Sequence, residues 1–112
     1  GITLRSGTSN NGAIFFSDAT SGDAEFDGFV QYNHGADPFM QFGVADDTVM
    51  VLKGSSVGIG TASPTVTLDI ESASPVIKLT DSDATGTPEC EISGAGGDLI
   101  LSADKDGEKD GS

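Results

Sequence analysis

Apolar and polar residues alternate with a period of two along most of the chain, and clusters of Gly, Pro, Asn and Asp break the alternation at intervals. Breaks spaced about eight to twelve residues apart, with helical periodicity sustained nowhere, predict many short strands joined by tight turns, an all-β fold. In ITLRS, Ile2 and Leu4 share a face, and in the GTSNNG that follows Asn11 and Gly12 form a favoured hairpin pair, because both residue types take positive φ readily. GAIFFSD is a predicted strand. EFDGFVQYN carries Phe26, Val30 and Tyr32 on one side, with Gly28 leaving room for a close neighbour. After the HGADP turn, PFMQFGV sets Met40, Phe42 and Val44 against Phe39, Gln41 and Gly43. TVMVLKG is apolar at both parities apart from Lys53, the pattern of a strand buried on both faces.

GSSVGIGTASP, residues 54–64, places Gly54, Gly58 and Gly60 around Val57 and Ile59. Glycines at this spacing predict an extended segment whose backbone can be approached closely on one side, with the two branched side chains pointing inward. VTLDI then opposes Val66, Leu68 and Ile70 to Thr67, Asp69 and Glu71, and ESASP reads as a linker. The remaining strands are PVIKLTD with Ile77 and Leu79, ECEISG with Cys90 and Ile92, and DLILSAD with Leu99 and Leu101, separated by DATGTP and AGG turns. Ile2 and Leu4 in ITLRSGTSNNG are echoed 75 residues later by Ile77 and Leu79 in IKLTDSDATG. The expected organisation is a first β unit over 1–72 and a second, truncated unit over 73–112, as in stacked repeats that need neighbours to close their cores.

Composition shifts this picture from a solitary globule towards an assembly. Of 112 residues only 36% are hydrophobic, none is Trp and 16 are Gly, so few apolar side chains offset the entropy of ordering the backbone. Copies that share a core bury surface which one chain leaves wet, and an obligate oligomer is expected. Five Lys and Arg against 18 Asp and Glu give a net charge of −13, which argues against nucleic acid and anionic membrane surfaces as partners. Six Phe spread among β-branched residues argue for a folded chain despite the acidity. Cys90 is the only cysteine, so no disulfide closes within the chain, and its expected role is that of a buried small hydrophobe. No apolar run approaches the ~20 residues of a membrane-spanning helix, so membrane insertion is not expected. A start at Gly1 without Met and a polar DKDGEKDGS end are what an excised piece of a longer polypeptide would show.

Candidate chemistry is sparse. Gly58 and Gly60 suggest a phosphate loop, but no Walker lysine follows and Pro64 would stop a helix from starting behind them. His34, the only histidine, lies beside Asp37 in a turn with no marked nucleophile. The carboxylates read as solvated strand faces and turns, and a single Tyr with no Trp is poor material for the aromatic groove of a polysaccharide-cleaving enzyme. Asp104–Glu108 (DKDGE) is similar to the middle of a calcium loop but lacks the flanking helices, and it reads as a hairpin tip, with Asp46 and Asp47, or Asp81 and Asp83, discounted likewise. The sequence therefore predicts no catalytic residue, no cofactor and no metal site.

GSSVGIGTASPTVTLDI resembles a repeated signature of phage tail fibre and tailspike proteins, especially those ending in a C-terminal intramolecular chaperone domain. In these, a Met-containing strand leads into VGIGT-x-x-P and a short alternating strand; Met50, Val57, Gly58, Ile59, Gly60, Thr61 and Pro64 fill those places. SPVIKLTDSDATG with EISGAGGDLILSAD looks like the unit that follows in such proteins, and GAIFFSD with FVQYNH and MQFGV like the unit that precedes it. The resemblance implies short antiparallel strands in an intertwined homotrimeric shaft, of β-prism or β-sandwich-like build, on the extracellular virion. It implies other virion tail proteins and host surface glycan as partners. The chaperone domain and its self-cleavage residues have no counterpart here, so no protease activity carries over. Three chains side by side would bring Val57, Ile59, Val66 and Leu68 to a common axis, with Gly58 and Gly60 letting the backbones approach. The competing expectation is a carbohydrate-binding β module using Phe29, Tyr32 and His34; an enzyme and a bacterial adhesin stalk rank behind it.

Overall fold

Tight reversals organise the chain. Ala45 and Asp46, with φ of 52° and 60°, form a two-residue loop between the paired residues Val44 and Asp47. Positive φ at both central positions is the hairpin geometry whose twist matches that of its strands. Gly96 and Gly97, at 61° and 90°, make the equivalent loop between Ala95 and Asp98. Gly54, at 59°, opens the loop between Lys53 and Ser56.

The computed structural model describes residues 1–82 and 89–103 and is all-β. Among these residues the strands are β1 (Asn11–Phe16), β2 (Gly28–Asn33), β3 (Phe39–Val44), β4 (Asp47–Lys53), β5 (Ser56–Ile59), β6 (Leu68–Ile70), β7 (Val76–Thr80), β8 (Glu89–Ala95) and β9 (Asp98–Ala103). The chain divides into two compact units, Gly1–Glu71 and Ser72–Ser112. In the first, β1 to β6 lie in chain order in one sheet, antiparallel throughout except that β6 runs parallel to β5. The second holds the antiparallel meander β7-β8-β9.

Successive side chains of a strand point to opposite faces, so the register decides which apolar positions gather. In the first sheet it aligns Ile14 and Phe16 with Val30, Tyr32, Met40 and Phe42, and these with Met50, Leu52, Val57, Ile59, Leu68 and Ile70, all on one face. None of these residues is charged. Phe16 is 63% exposed, and Ile14, Leu52, Ile59 and Leu68 are exposed as well. On the opposite face Phe29 lies over Gly43, where a Cβ would overlap its ring. Val51, at 0% exposure, is the largest fully buried side chain, and its register partner is Gly58.

Several local expectations are corrected. Asn11 and Gly12 do not form a hairpin loop: they begin β1, opposite Asn33 and Tyr32. The reversal comes earlier, where Asn10 N–H donates to the Gly7 carbonyl (3.0 Å), and Ile2 and Leu4 stay outside any strand and exposed. Phe26 belongs to a 3₁₀ turn, Asp23–Phe26, and its ring meets Phe15 edge-on at 5.0 Å on the face away from Val30 and Tyr32. The coiled backbone before β2 resets the parity that alternation alone would carry through. The β4 strand is covered on one face only, since Leu52 is exposed and Val49, beside a bulge at Phe42/Gly43, is exposed too. Cys90, expected to be buried, is exposed.

In the second unit Ile77, Leu79, Cys90, Ile92, Leu99 and Leu101 share one face. That face is open: Leu79, Leu99 and Leu101 are 61%, 73% and 71% exposed. The other face carries the Lys78–Glu89 ion pair, at 2.5 Å, and Glu91, the register partner of Lys78, which is buried.

Candidate functional site

The GIGTASP segment determines which face of the first sheet is closed. After β5 the chain must return to pair in parallel with β6, which requires a crossing over the sheet. Residues 60–67 make it on the Gly58 side. A Cβ at Gly58 would stand 2.5 Å from the Thr61 carbonyl oxygen and 3.4 Å from Pro64 Cδ, so only glycine admits this path. Gly60, at φ 74°, backs onto the Glu71 carbonyl with no space for a Cβ. The crossing is pinned by backbone bonds from Val57 N–H to the Thr67 carbonyl and from Glu71 N–H to the Ile59 carbonyl, both 2.9 Å, and from Gly60 N–H to the Val49 carbonyl, 3.1 Å. Asp69 adds a side-chain staple, its Oδ2 accepting from the Thr65 N–H (2.8 Å) and from Thr65 Oγ1 (3.0 Å).

The residues expected at a trimer axis are thus sorted by the crossing. Val57, Ile59 and Leu68 lie on the uncovered apolar face; Gly58 faces the opposite way, beneath Thr61 and Pro64; Gly60 sits against Glu71; and Val66 is exposed just before β6. The close backbone approach that the glycines permit is made by the same chain. Sequence reasoning missed Ile14, Phe16, Phe42, Met50 and Leu52 as members of the same face, because their sharing it depends on register. It also read Asp69 as a solvating acid when it holds the crossing. Asp69→Ala removes both bonds to Thr65 and is expected to lower the stability of the first unit by about 1 kcal/mol in urea denaturation, with its strand content kept.

Elsewhere the candidate groups do not converge on chemistry. Asp37 pairs with Lys53 at 2.6 Å, and His34 meets the Tyr32 ring edge-on at 4.7 Å. Tyr32 and His34 line a concavity of about 370 Å³ with Ile2, Leu4, Ile14 and Met40, whereas Phe29 is on the other face, so Phe29, Tyr32 and His34 do not form one site. Among the described residues no group of three or more His, Cys, Asp or Glu could hold a metal ion. Asp83 and Asp104–Glu108 lie outside the described residues. No family model matches the chain, and neither does any curated protein or solved structure. The open apolar face therefore stands as the candidate functional surface on its geometry alone.

Proposed function

We propose that this chain is a non-enzymatic structural segment of a homotrimeric phage tail fibre or tailspike, joining other virion tail proteins to a receptor-binding tip outside the host cell. The observation that supports this reading is the apolar face running across all six strands of the first sheet, with Asp47 only at its margin, and a second apolar face in the β7–β9 meander. Water contact with these faces is unfavourable by about 25 cal/mol per Å² of apolar surface. A chain of net charge −13 repels its own copies over most of its remaining surface, so self-association is directed to the two apolar faces, the first of which carries Asp47 at its margin, opposite Val44. Closed three-fold packing hides the same patch on every chain and leaves none to propagate further. The VGIGT-x-x-P resemblance supplies the fibre context.

Sedimentation or native mass measurement at micromolar concentration is expected to give a trimer, and a folded, monodisperse monomer would overturn the proposal. Cys90 provides a second readout. Its thiol is exposed on the apolar face of the single chain beside Leu79, so the assembly is expected to label with maleimide far more slowly under native conditions than in denaturant. Labelling at the rate of the unfolded chain would count against burial of that face.

A further inference from the structure

We infer that Asn11 is a site of spontaneous deamidation, gated by the pairing of β1, and that the reaction releases the N-terminal corner of the first unit. Asn11 and Gly12 have the composition of a hairpin loop but begin β1 instead, opposite Asn33 and Tyr32. The dipeptide has a chemistry of its own. The backbone nitrogen of Gly12 can attack Cγ of the Asn11 side chain, closing a five-membered cyclic imide. The Cγ–Nδ2 bond breaks as it closes, and ammonia leaves with the proton that the Gly12 nitrogen gives up. Water then opens the imide at either carbonyl, giving aspartate or, with the main chain rerouted through Cβ, isoaspartate. Glycine is the least hindered residue to follow the asparagine, because no Cβ stands beside the attacking nitrogen.

Among the three asparagines the fold favours this one and sets its rate. Asn33 is followed by His34, and its Oδ1 already accepts from the Gly35 N–H at 2.7 Å. Asn10 is followed by Asn11, whose side chain crowds the attacking nitrogen. Asn11 itself is exposed, with Gly12 behind it. The restraint comes from the ladder. His34 N–H donates to the Asn10 carbonyl, and bonded pairs recur at every second residue of an antiparallel ladder, so Gly12 N–H is held on the Tyr32 carbonyl. A nitrogen held there cannot turn to Asn11 Cγ, and ring closure waits for the end of β1 to open. That opening is local: β1 is an edge strand, Asn11 is its first residue, and the His34–Asn10 bond just beyond is long at 3.4 Å.

Isoaspartate adds one backbone atom ahead of Gly12. The register of Gly12, Ile14 and Phe16 survives only if that atom is expelled towards the Gly7–Asn10 turn, which breaks the Asn10–His34 bond. The turn carries the N-terminal segment back over the apolar face, where Ser6 Oγ lies 3.4 Å from the position of a Gly12 Cβ and Ile2 and Leu4 line one concavity with Ile14. Deamidation therefore frees this cover while β2 and β3 stay paired.

The test is peptide mapping by mass spectrometry on the full chain held in warm, mildly alkaline buffer, native and in guanidinium chloride, with aspartate and isoaspartate products separated. Conversion at Asn11 is expected to outrun that at Asn10 and Asn33 in denaturant, and to be about fivefold or more slower in the native chain. Gly12→Ala is expected to suppress it in both conditions. In the converted native chain, His34 N–H is expected to exchange with deuterium faster than before conversion, while the amides between β2 and β3 keep their protection. Equal rates in native and denatured chains would overturn the gating, and faster conversion at Asn10 or Asn33 would overturn the choice of site. Unchanged exchange at His34 after conversion would overturn the release. The chemistry lies within one chain, so it can fail while the assembly proposed above stands.

Discussion

Ile59→Asp is expected to convert the proposed trimer to monomers while leaving the first sheet folded. Ile59 stands between Met50 and Ile70 in the register, on the apolar face, and is itself exposed in the single chain. A carboxylate there can keep its water as long as the chain is alone, so the fold of one copy has little reason to fail. Assembly changes that. Three copies of the substitution would converge where the proposed interface excludes solvent, and an unpaired carboxylate taken out of water costs several kcal/mol even after relaxation. Three such penalties, with mutual repulsion added, exceed what a marginal assembly can absorb. The measurement is native mass together with circular dichroism: monomer mass with retained β signal is the expected result. Trimer mass with an unchanged melting temperature would place the interface elsewhere on the chain.

Gly58→Ala is expected to have the largest effect on the fold itself. The added Cβ would stand 2.5 Å from the Thr61 carbonyl oxygen and 3.1 Å from Thr61 Cγ2, and the first of these is backbone, which cannot rotate away. The crossing over 60–67 would have to lift. Overpacking of this kind costs about 1–3 kcal/mol, and lifting also returns water to Val51, whose burial is worth roughly 1.5–3 kcal/mol. The combined loss is a large part of the 5–15 kcal/mol typical of a whole domain. A urea midpoint shifted sharply down is expected, with Gly12→Ala as the control, because a Cβ there meets Ser6 Oγ at 3.4 Å and His34 Nε2 at 3.9 Å, both side-chain contacts at ordinary distance. Equal midpoints for the two variants would mean that the crossing yields at no cost.

The sequence by itself determined the strand periodicity and the places where the backbone had to come close. Alternation in PFMQFGV, in VIKLT and in DLILSA was enough to locate β3, β7 and β9, because a period of two is a property of consecutive residues and needs no partner to be read. The glycines at 58 and 60 likewise announced a close approach, since their lack of a Cβ is useful only where something else occupies that space. What approaches them was beyond reach: the structure puts Thr61, Pro64 and Glu71 of the same chain there. Local turn chemistry misled at Asn11 and Gly12, whose tolerance of positive φ is a permission and not an instruction, and pairing with Asn33 and Tyr32 drew both into β1. Phe26 was assigned to the wrong side because a single 3₁₀ turn resets parity without any mark in the hydrophobic pattern. Only the tertiary structure decided which of the two alternating sets is covered. Both Val51 and Leu52 are apolar, yet one is sealed and the other open, because the β5–β6 crossing passes over one face of the sheet and each one-residue step along a strand changes face.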